Sequence, residues 1–341
     1  MAVADRPAPS GRGTLVLTRR DVRGLLDMDA CIAAVDAAFR AHAEGATLRP
    51  GVLGTHVPDG GFHVKTAGLR GASGRWYFAM KINANFPGNP ARNGLPTIQG
   101  VISLHDATDG VLLALLDSME ITTLRTAAAT AVAARHLSRA DARVVTVLGC
   151  GVQGHSQLRA LSRVRSVERV FAWDAEPAAA ARYAREMTNV LGCDVQAVAE
   201  FRDAVRASDV VVTCTPSRRP LLSAADVPPG CFVAAVGADS EDKQELATDL
   251  LAHSVVVADV LEQCARIGDL HHALAAGALR REDVHAELSD VVSGRRPGRR
   301  TDAEIIVFDS TGTALEDVAA AALVYERAVD AGVGVELRLG A

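Results

Sequence analysis

The stretch VVTVLGCGVQG, Val144 to Gly154, constrains the fold more than any other part of the chain. An apolar run ends in Gly149, Gly151 and Gly154, spaced G-x-G-x-x-G, and a helical pattern, QGHSQLRALSRV, follows. The spacing alone is a weak signal; between a strand and a helix it reads as the turn that receives a dinucleotide's pyrophosphate. The first glycine permits the tight turn, the second lets backbone approach the phosphates, and the third lets helix and strand pack closely. Peptide N–H groups at the helix start, at Val152 and Gln153, would meet the negative charge together with the positive end of the helix dipole. The next apolar run, RVFAW, ends at Asp174, about twenty residues on, where such a site wants an acid for the ribose hydroxyls. A carboxylate there repels a 2′-phosphate, so NAD is expected rather than NADP.

From Arg143 onward the pattern alternates. RVFAW, DVVVTCT, CFVAAVG, SVVVAD and EIIVFDS are strand-like, and helical stretches such as EPAAAARYAREM lie among them. Alternation of this kind implies a parallel sheet with crossover helices. Residues 126–312 are therefore expected to form a Rossmann domain. TCTPS, with Thr213 and Thr215, ends one of these strands; it lines the nicotinamide half of a bound dinucleotide or is a plain proline turn. RRPGRR, Arg295 to Arg300, reads as a solvated loop.

The first part of the chain has another texture. TLVLT suggests a strand, and DMDACIAAVDAAFRAHAEG a helix with Ile32, Val35 and Phe39 on one face and Asp29 at its start. FHVKTAGL, WYFAMKINA, IQGVISLHD and VLLALLD follow, separated by Gly, Pro and Asn, as in a mostly antiparallel sheet. A long Ala-rich helix spans Ile121 to Leu137, and a final amphipathic helix starts near Thr313. The expected fold is α/β: the Rossmann domain plus a discontinuous α+β substrate-binding domain made of residues 14–125 and 313–341, behind a disordered tail, 1–13.

At 341 residues the chain exceeds what one core usually organises, and 49% apolar residues suffice for two. A net charge of -5 and 4% aromatics argue against a nucleic-acid partner. The six cysteines are scattered, with no C-x-x-C pair and no close histidine, so buried thiols are expected and no metal site. No apolar run approaches the ~20 residues of a membrane helix, and the start lacks a signal-peptide core, so a cytoplasmic protein is expected.

Three cations and one acid stand out. Lys81 lies where a strand runs into a Pro-Gly turn, Arg49 beside another Pro-Gly bend, and Arg125 in the first turns of the long helix. A cation there opposes the helix dipole unless an anion is shared. Asp239 follows the apolar run CFVAAV, at the mouth of a buried strand.

MKINANFPGNPARNGLPTIQG, LALLDSMEITTLRTAAATAVAARHL, VLGCGVQG, VGADSEDKQEL and VFDSTGTALEDVAAAALVYERA, in this order, resemble the ornithine cyclodeaminase/mu-crystallin family. The resemblance runs from about Leu15 to Val335. It implies a homodimer joined through the sheets of the first domains, and a small amino-acid or imino-acid substrate. It further implies that Arg49, Lys81 and Arg125 hold the substrate carboxylate, that Thr97 of G-L-P-T lies near the substrate, and that Asp239 is the acid/base or amine-binding group. Lys81 and Asp239 are thus the residues it places closest to catalysis. Where the family often writes D-x-P-G-K, this chain has D-S-E-D-K.

The activity so implied is hydride transfer at a carbon–nitrogen bond. Ornithine cyclodeaminase, which converts ornithine to proline and ammonia while recycling NAD, is the first reading. Alanine dehydrogenase and cyclic ketimine (pyrroline-2-carboxylate) reductase are the alternatives, and a non-catalytic NAD(P)-binding protein like the crystallin members is a third.

Overall fold

The computed structural model describes residues 13–71 and 73–339, so the expected tail lies, but for Gly13, outside the described residues. Contacts divide the chain into two units. Of the described residues, one holds those up to Leu26, those of Leu48–Ile121 and those from Asp317 on; the other holds Asp27–Thr47 and Thr122–Glu316.

The first unit contains β1 (Thr14–Leu17), β2 (Thr47–Val57), β3 (Gly60–Arg70), β4 (Trp76–Asn85), β5 (Ile98–Asp106) and β6 (Leu112–Asp117). The second contains β7 (Val144–Leu148), β8 (Arg169–Trp173), β9 (Asp194–Ala197), β10 (Val210–Thr213), β11 (Arg218–Leu222), β12 (Phe232–Ala235), β13 (Gln244–Leu246), β14 (Val255–Ala258), β15 (Ala286–Glu287) and β16 (Ile306–Asp309). The chain then returns to the first unit for β17 (Val335–Leu337).

The first unit is one seven-stranded sheet, ordered β17-β1-β6-β5-β4-β3-β2. The run β3 to β6 is the expected antiparallel meander, and β1 joins it parallel to β6. Strand alternation puts Ala67, Leu69, Tyr77, Ala79, Ile102, Leu104, Ala114 and Leu116 on one buried face. The final helix, Ala314–Ala331, lies along that face of β4 from Asp317 on: Asp317 meets Lys81, and Glu326 accepts from the Tyr77 hydroxyl at 2.7 Å. The lengths agree, since nine helical steps of ~1.5 Å and four strand steps of ~3.4 Å both cover about 14 Å. The strand β2 carries Pro50, Gly51 and Gly54, a composition that hides a strand; at a sheet edge a proline removes no needed ladder bond.

The second unit holds an eight-stranded sheet, β15-β14-β16-β12-β10-β7-β8-β9, with every pairing parallel. The chain leaves β7 towards β8 and β9, then returns to the other side of β7 as β10. That reversal between β7 and β10 is a topological switch point, and ligands of such sheets sit beyond the carboxyl ends of the strands there. The core includes Leu148, Val211, Val233, Ala258 and Val307, the inner residues of five strands.

The expected division at residues 125 and 313 differs from that of the structure, where the chain changes units after Ile121 and after Glu316. The larger difference is the helix Met28–Ala43, expected in the first domain and found in the second unit. Its apolar stripe, Cys31, Ile32, Val35 and Phe39, is fully buried, and its neighbours are the helices Leu288–Val292 and Val152–Leu161. Periodicity shows that a helix has an apolar face but not which partner covers it. Asp27, not Asp29, caps this helix, accepting from the Ala30 N–H at 2.8 Å. The loop RRPGRR is solvated only in part: Arg299 donates to the carbonyls of Leu137 at 2.8 Å and Glu304 at 2.7 Å.

Among the described residues no helix is long and apolar enough to cross a membrane, and no group of three His, Cys, Asp or Glu side chains is arranged to hold a metal ion.

Candidate functional site

The glycine turn after β7 has the shape its spacing demands. Gly149 has φ +107°, and a Cβ there would stand 2.7 Å from the Cys214 carbonyl oxygen. A Cβ on Gly154 would stand 2.2 Å from the Gly149 carbonyl oxygen, so this glycine lets helix and strand close up. Around Gly151 nothing lies within 4 Å of an added Cβ, and Val152 beside it is exposed. The helix Val152–Leu161 starts at Gly151 with no side chain capping it, which leaves its first N–H groups, including those of Val152 and Gln153, for a ligand. Asp174, at the end of β8, accepts from the Cys150 N–H at 2.8 Å and from the Glu176 N–H at 3.0 Å. These bonds fix its carboxylate over the turn and use only part of its acceptor capacity. The result is an open cradle with free donors at its floor and an acid at its side, which fits a pyrophosphate and an adjoining ribose.

On the other side of the switch point, the ends of β10 and β12 are joined by a residue the sequence reading did not single out. Glu245, on β13, is fully buried. It accepts from the Thr213 hydroxyl (2.7 Å), the Thr215 N–H (2.6 Å), the Thr215 hydroxyl (2.7 Å) and the Gly237 N–H (2.8 Å). Burial raises its pKa, against the pull of these hydrogen bonds. The hydroxyls of Thr213 and Thr215 are therefore committed to Glu245.

Asp239 lies four residues beyond β12 and is half-exposed. The Lys243 ammonium stands 2.6 Å from its Oδ1, one helical turn's spacing along the chain. The D-S-E-D-K loop thus lacks the Pro-Gly pair but keeps the lysine, which reaches back to the acid. His272 donates from Nε2 to the Lys243 carbonyl at 2.8 Å and steadies the same loop.

Arg125 is buried in the second turn of the helix Ser118–Leu137. Its Nη1 donates to Glu316 Oε2 at 2.8 Å, so the anion that offsets an unfavourable dipole comes first from the protein. Gly312, at φ +72°, lies against the guanidinium: a Cβ there would stand 2.2 Å from Nη1. The backbone of that loop is held by buried Asp259, which accepts from the N–H groups of Thr311 and Gly312, both at 2.8 Å. Asp309, which ends β16, is pushed up to about 7, chiefly by burial.

In the first unit, Lys81 on β4 is buried and donates to Asp317 at 2.8 Å. Directly opposite it on β3 is Lys65, also buried. Opposed residues of an antiparallel pair share a face, so two ammonium-bearing chains leave the sheet side by side. Arg49 is exposed on the edge strand β2. Thr97 stands just ahead of β5, half-buried, and its carbonyl accepts from the Phe86 N–H at 2.8 Å. Within this unit the structure therefore sets Lys81 with Lys65 and Asp317, while Arg49 is two strands away at the edge.

The residues missed from sequence divide into two kinds. Lys65 was legible, since strand alternation puts it in phase with Ala67 and Leu69 on the core face. Glu245, Glu316 and Asp317 sit in polar stretches whose burial only the fold creates.

Residues 12–332 match the ornithine cyclodeaminase/mu-crystallin family. Among solved structures, an archaeal alanine dehydrogenase dimer with bound NAD is 37% identical, with a TM-score of 0.91 and coverage of 96% of this chain and 99% of that one. The iminosuccinate reductase of Paracoccus denitrificans, in complex with NAD+, is 32% identical, with a TM-score of 0.88 over 96% of this chain and 100% of that one. A lysine cyclodeaminase described with L-lysine, L-ornithine and L-2,4-diaminobutyric acid is 31% identical, with a TM-score of 0.82 over 96% of each chain.

Proposed function

The chain belongs to the ornithine cyclodeaminase/mu-crystallin family, and we propose on that premise that it is an NAD-dependent enzyme acting at the carbon–nitrogen bond of an amino or imino acid. The observation that carries this reading is the cradle: open space at Gly151, uncapped N–H groups at the helix start, and Asp174 fixed beside them. When bound there, NAD supplies the acceptor or donor of a hydride.

This chain's own groups supply the rest. The N–H groups of residues 151–154 would hold the pyrophosphate, and Asp174 would accept from ribose hydroxyls. Arg49, Lys81, Arg125 and Thr97 are assigned to the substrate, the three cations to its carboxylate. Orientation of this kind is worth roughly 7–11 kcal/mol of barrier. An amine must be neutral to lose hydride, and Asp239 is assigned to take that proton, with Lys243 aiming its carboxylate. A homodimer, the state in which the archaeal alanine dehydrogenase is described, belongs to the same proposal.

Between net redox and cyclodeamination, the likeness to the alanine dehydrogenase and the iminosuccinate reductase, higher in identity and TM-score than that to the lysine cyclodeaminase, supports net redox. We therefore read the protein as an amino-acid dehydrogenase or imino-acid reductase, with ornithine cyclodeaminase second.

The test is a comparison of two assays. NADH with ammonium and a panel of 2-oxo acids, including pyruvate and oxaloacetate, is followed at 340 nm; NAD+ with L-ornithine is followed by release of proline and ammonia. Steady NADH oxidation in the first supports this reading. Proline formation without net NADH in the second, and no turnover in the first, would replace it with cyclodeamination.

A further inference from the structure

We propose that Glu245 is a positioning residue that locks the β10 and β12 loops into one platform and so sets the affinity for the nicotinamide half of the dinucleotide without touching the adenosine half. The inference rests on the dinucleotide reading above.

The sheet order divides the labour. Asp174 directly follows β8, on one side of the switch point, so the ribose it would serve and the adenine beyond lie on that side. The other half of the ligand must then lie over β10 and β12. The Val236 N–H donates to the Thr213 carbonyl at 2.9 Å, and beyond that bond both loops are tied to Glu245, two donors on each oxygen. They also touch closely: a Cβ on Gly237 would stand 2.3 Å from the Thr215 carbonyl oxygen and 2.5 Å from Glu245 Cδ. Both oxygens must accept, since each receives one backbone N–H that cannot reverse, while the two hydroxyls could turn. Glu245 is itself held in place, because its N–H and that of Leu246 both donate to buried Asp269 at 2.8 Å. The same strand carries the support for Asp239, whose partner Lys243 directly precedes Gln244.

The experiment is Glu245→Gln in the full chain, with binding of NADH and of ADP-ribose, which lacks the nicotinamide, measured by calorimetry. The amide puts an NH2 where an oxygen accepted two donors, and one of these is a backbone N–H. The expected result is a Kd for NADH raised at least tenfold and a Kd for ADP-ribose within twofold of the unaltered protein. Thr215→Val, which removes one hydroxyl and keeps the carboxylate, should give the same pattern at about threefold; it decides the matter if the glutamine variant does not fold. Equal losses for both ligands, or none for NADH, overturn the positioning role. An unaltered protein that binds neither ligand overturns the dinucleotide reading itself, and the inference with it.

Discussion

Replacing Lys81 by Met separates what this lysine does for the fold from what it does for a substrate. Its ammonium lies 2.7 Å from Asp317 Oδ2, and the two side chains are only 3% and 1% exposed. A surface pair of this geometry would be worth little. A buried pair differs, because removing one partner takes from the other a counter-charge held away from water and costs about 3–5 kcal/mol. With a urea slope of ~2–3 kcal/mol/M, the unfolding midpoint should fall by roughly 1–2.5 M. The double variant Lys81→Met/Asp317→Leu removes both charges, and an apolar pair of similar volume is often neutral or better, so most of the loss should return. Activity should not return. A charged hydrogen bond to a substrate carboxylate is worth ~1.5–3 kcal/mol, so kcat/KM should stay about 10- to 150-fold down in both variants. Urea titrations followed by circular dichroism and steady-state kinetics on the same preparations test this. If the double variant recovers kcat/KM along with stability, Lys81 serves the fold alone and its substrate assignment is wrong.

Other outcomes follow from single positions. Gly151→Val should abolish NADH binding while leaving the unfolding midpoint within the error of the measurement, because nothing occupies the space its side chain would fill. Gly312→Ala should cost about 1–2 kcal/mol for its left-handed backbone and displace the Arg125 guanidinium, raising KM for the carboxylate substrate with NADH affinity unchanged. Asp239→Asn should lower kcat by at least a hundredfold and leave NADH binding intact, as stopped-flow and calorimetry would report. Asp309 holds its proton up to about pH 7 in the folded chain, whereas unfolded it releases it near the ordinary aspartate value of 3.8. The folded state therefore gains stability from this group at low pH and loses it as pH rises through 7. Between pH 5 and 8 the urea midpoint of the native protein should fall relative to that of Asp309→Asn.

The two units differed in how much the sequence disclosed. The parallel sheet was legible because β7, β8, β10, β12, β14 and β16 are each a short apolar run with a turn or helix after it, whereas β9 (Asp194–Ala197) and the two-residue β15 carry too little apolar character to announce themselves. The glycine turn and Asp174 were legible because their chemistry fixes their spacing. In the first unit the meander followed from alternation, but β2 did not, since its proline and glycines are affordable only at an edge. The roles of Thr213 and Thr215 needed coordinates: only the position of Glu245, about thirty residues on, turns two hydroxyls at a strand end from candidate ligand contacts into anchors. The same holds for Lys81 and Arg125, whose acids Asp317 and Glu316 are neighbours in the sequence and distant from both cations along it.

The central claim, hydride transfer at a carbon–nitrogen bond, is tested most directly by following the hydrogen itself. NADH deuterated on the transferred position is incubated with the protein, ammonium and the 2-oxo acid that turns over fastest, and the amino-acid product is analysed by mass spectrometry. One deuterium on Cα is the predicted result. Full occupancy of the binding site by NADH with no deuterium reaching Cα from any 2-oxo acid or imine would contradict it.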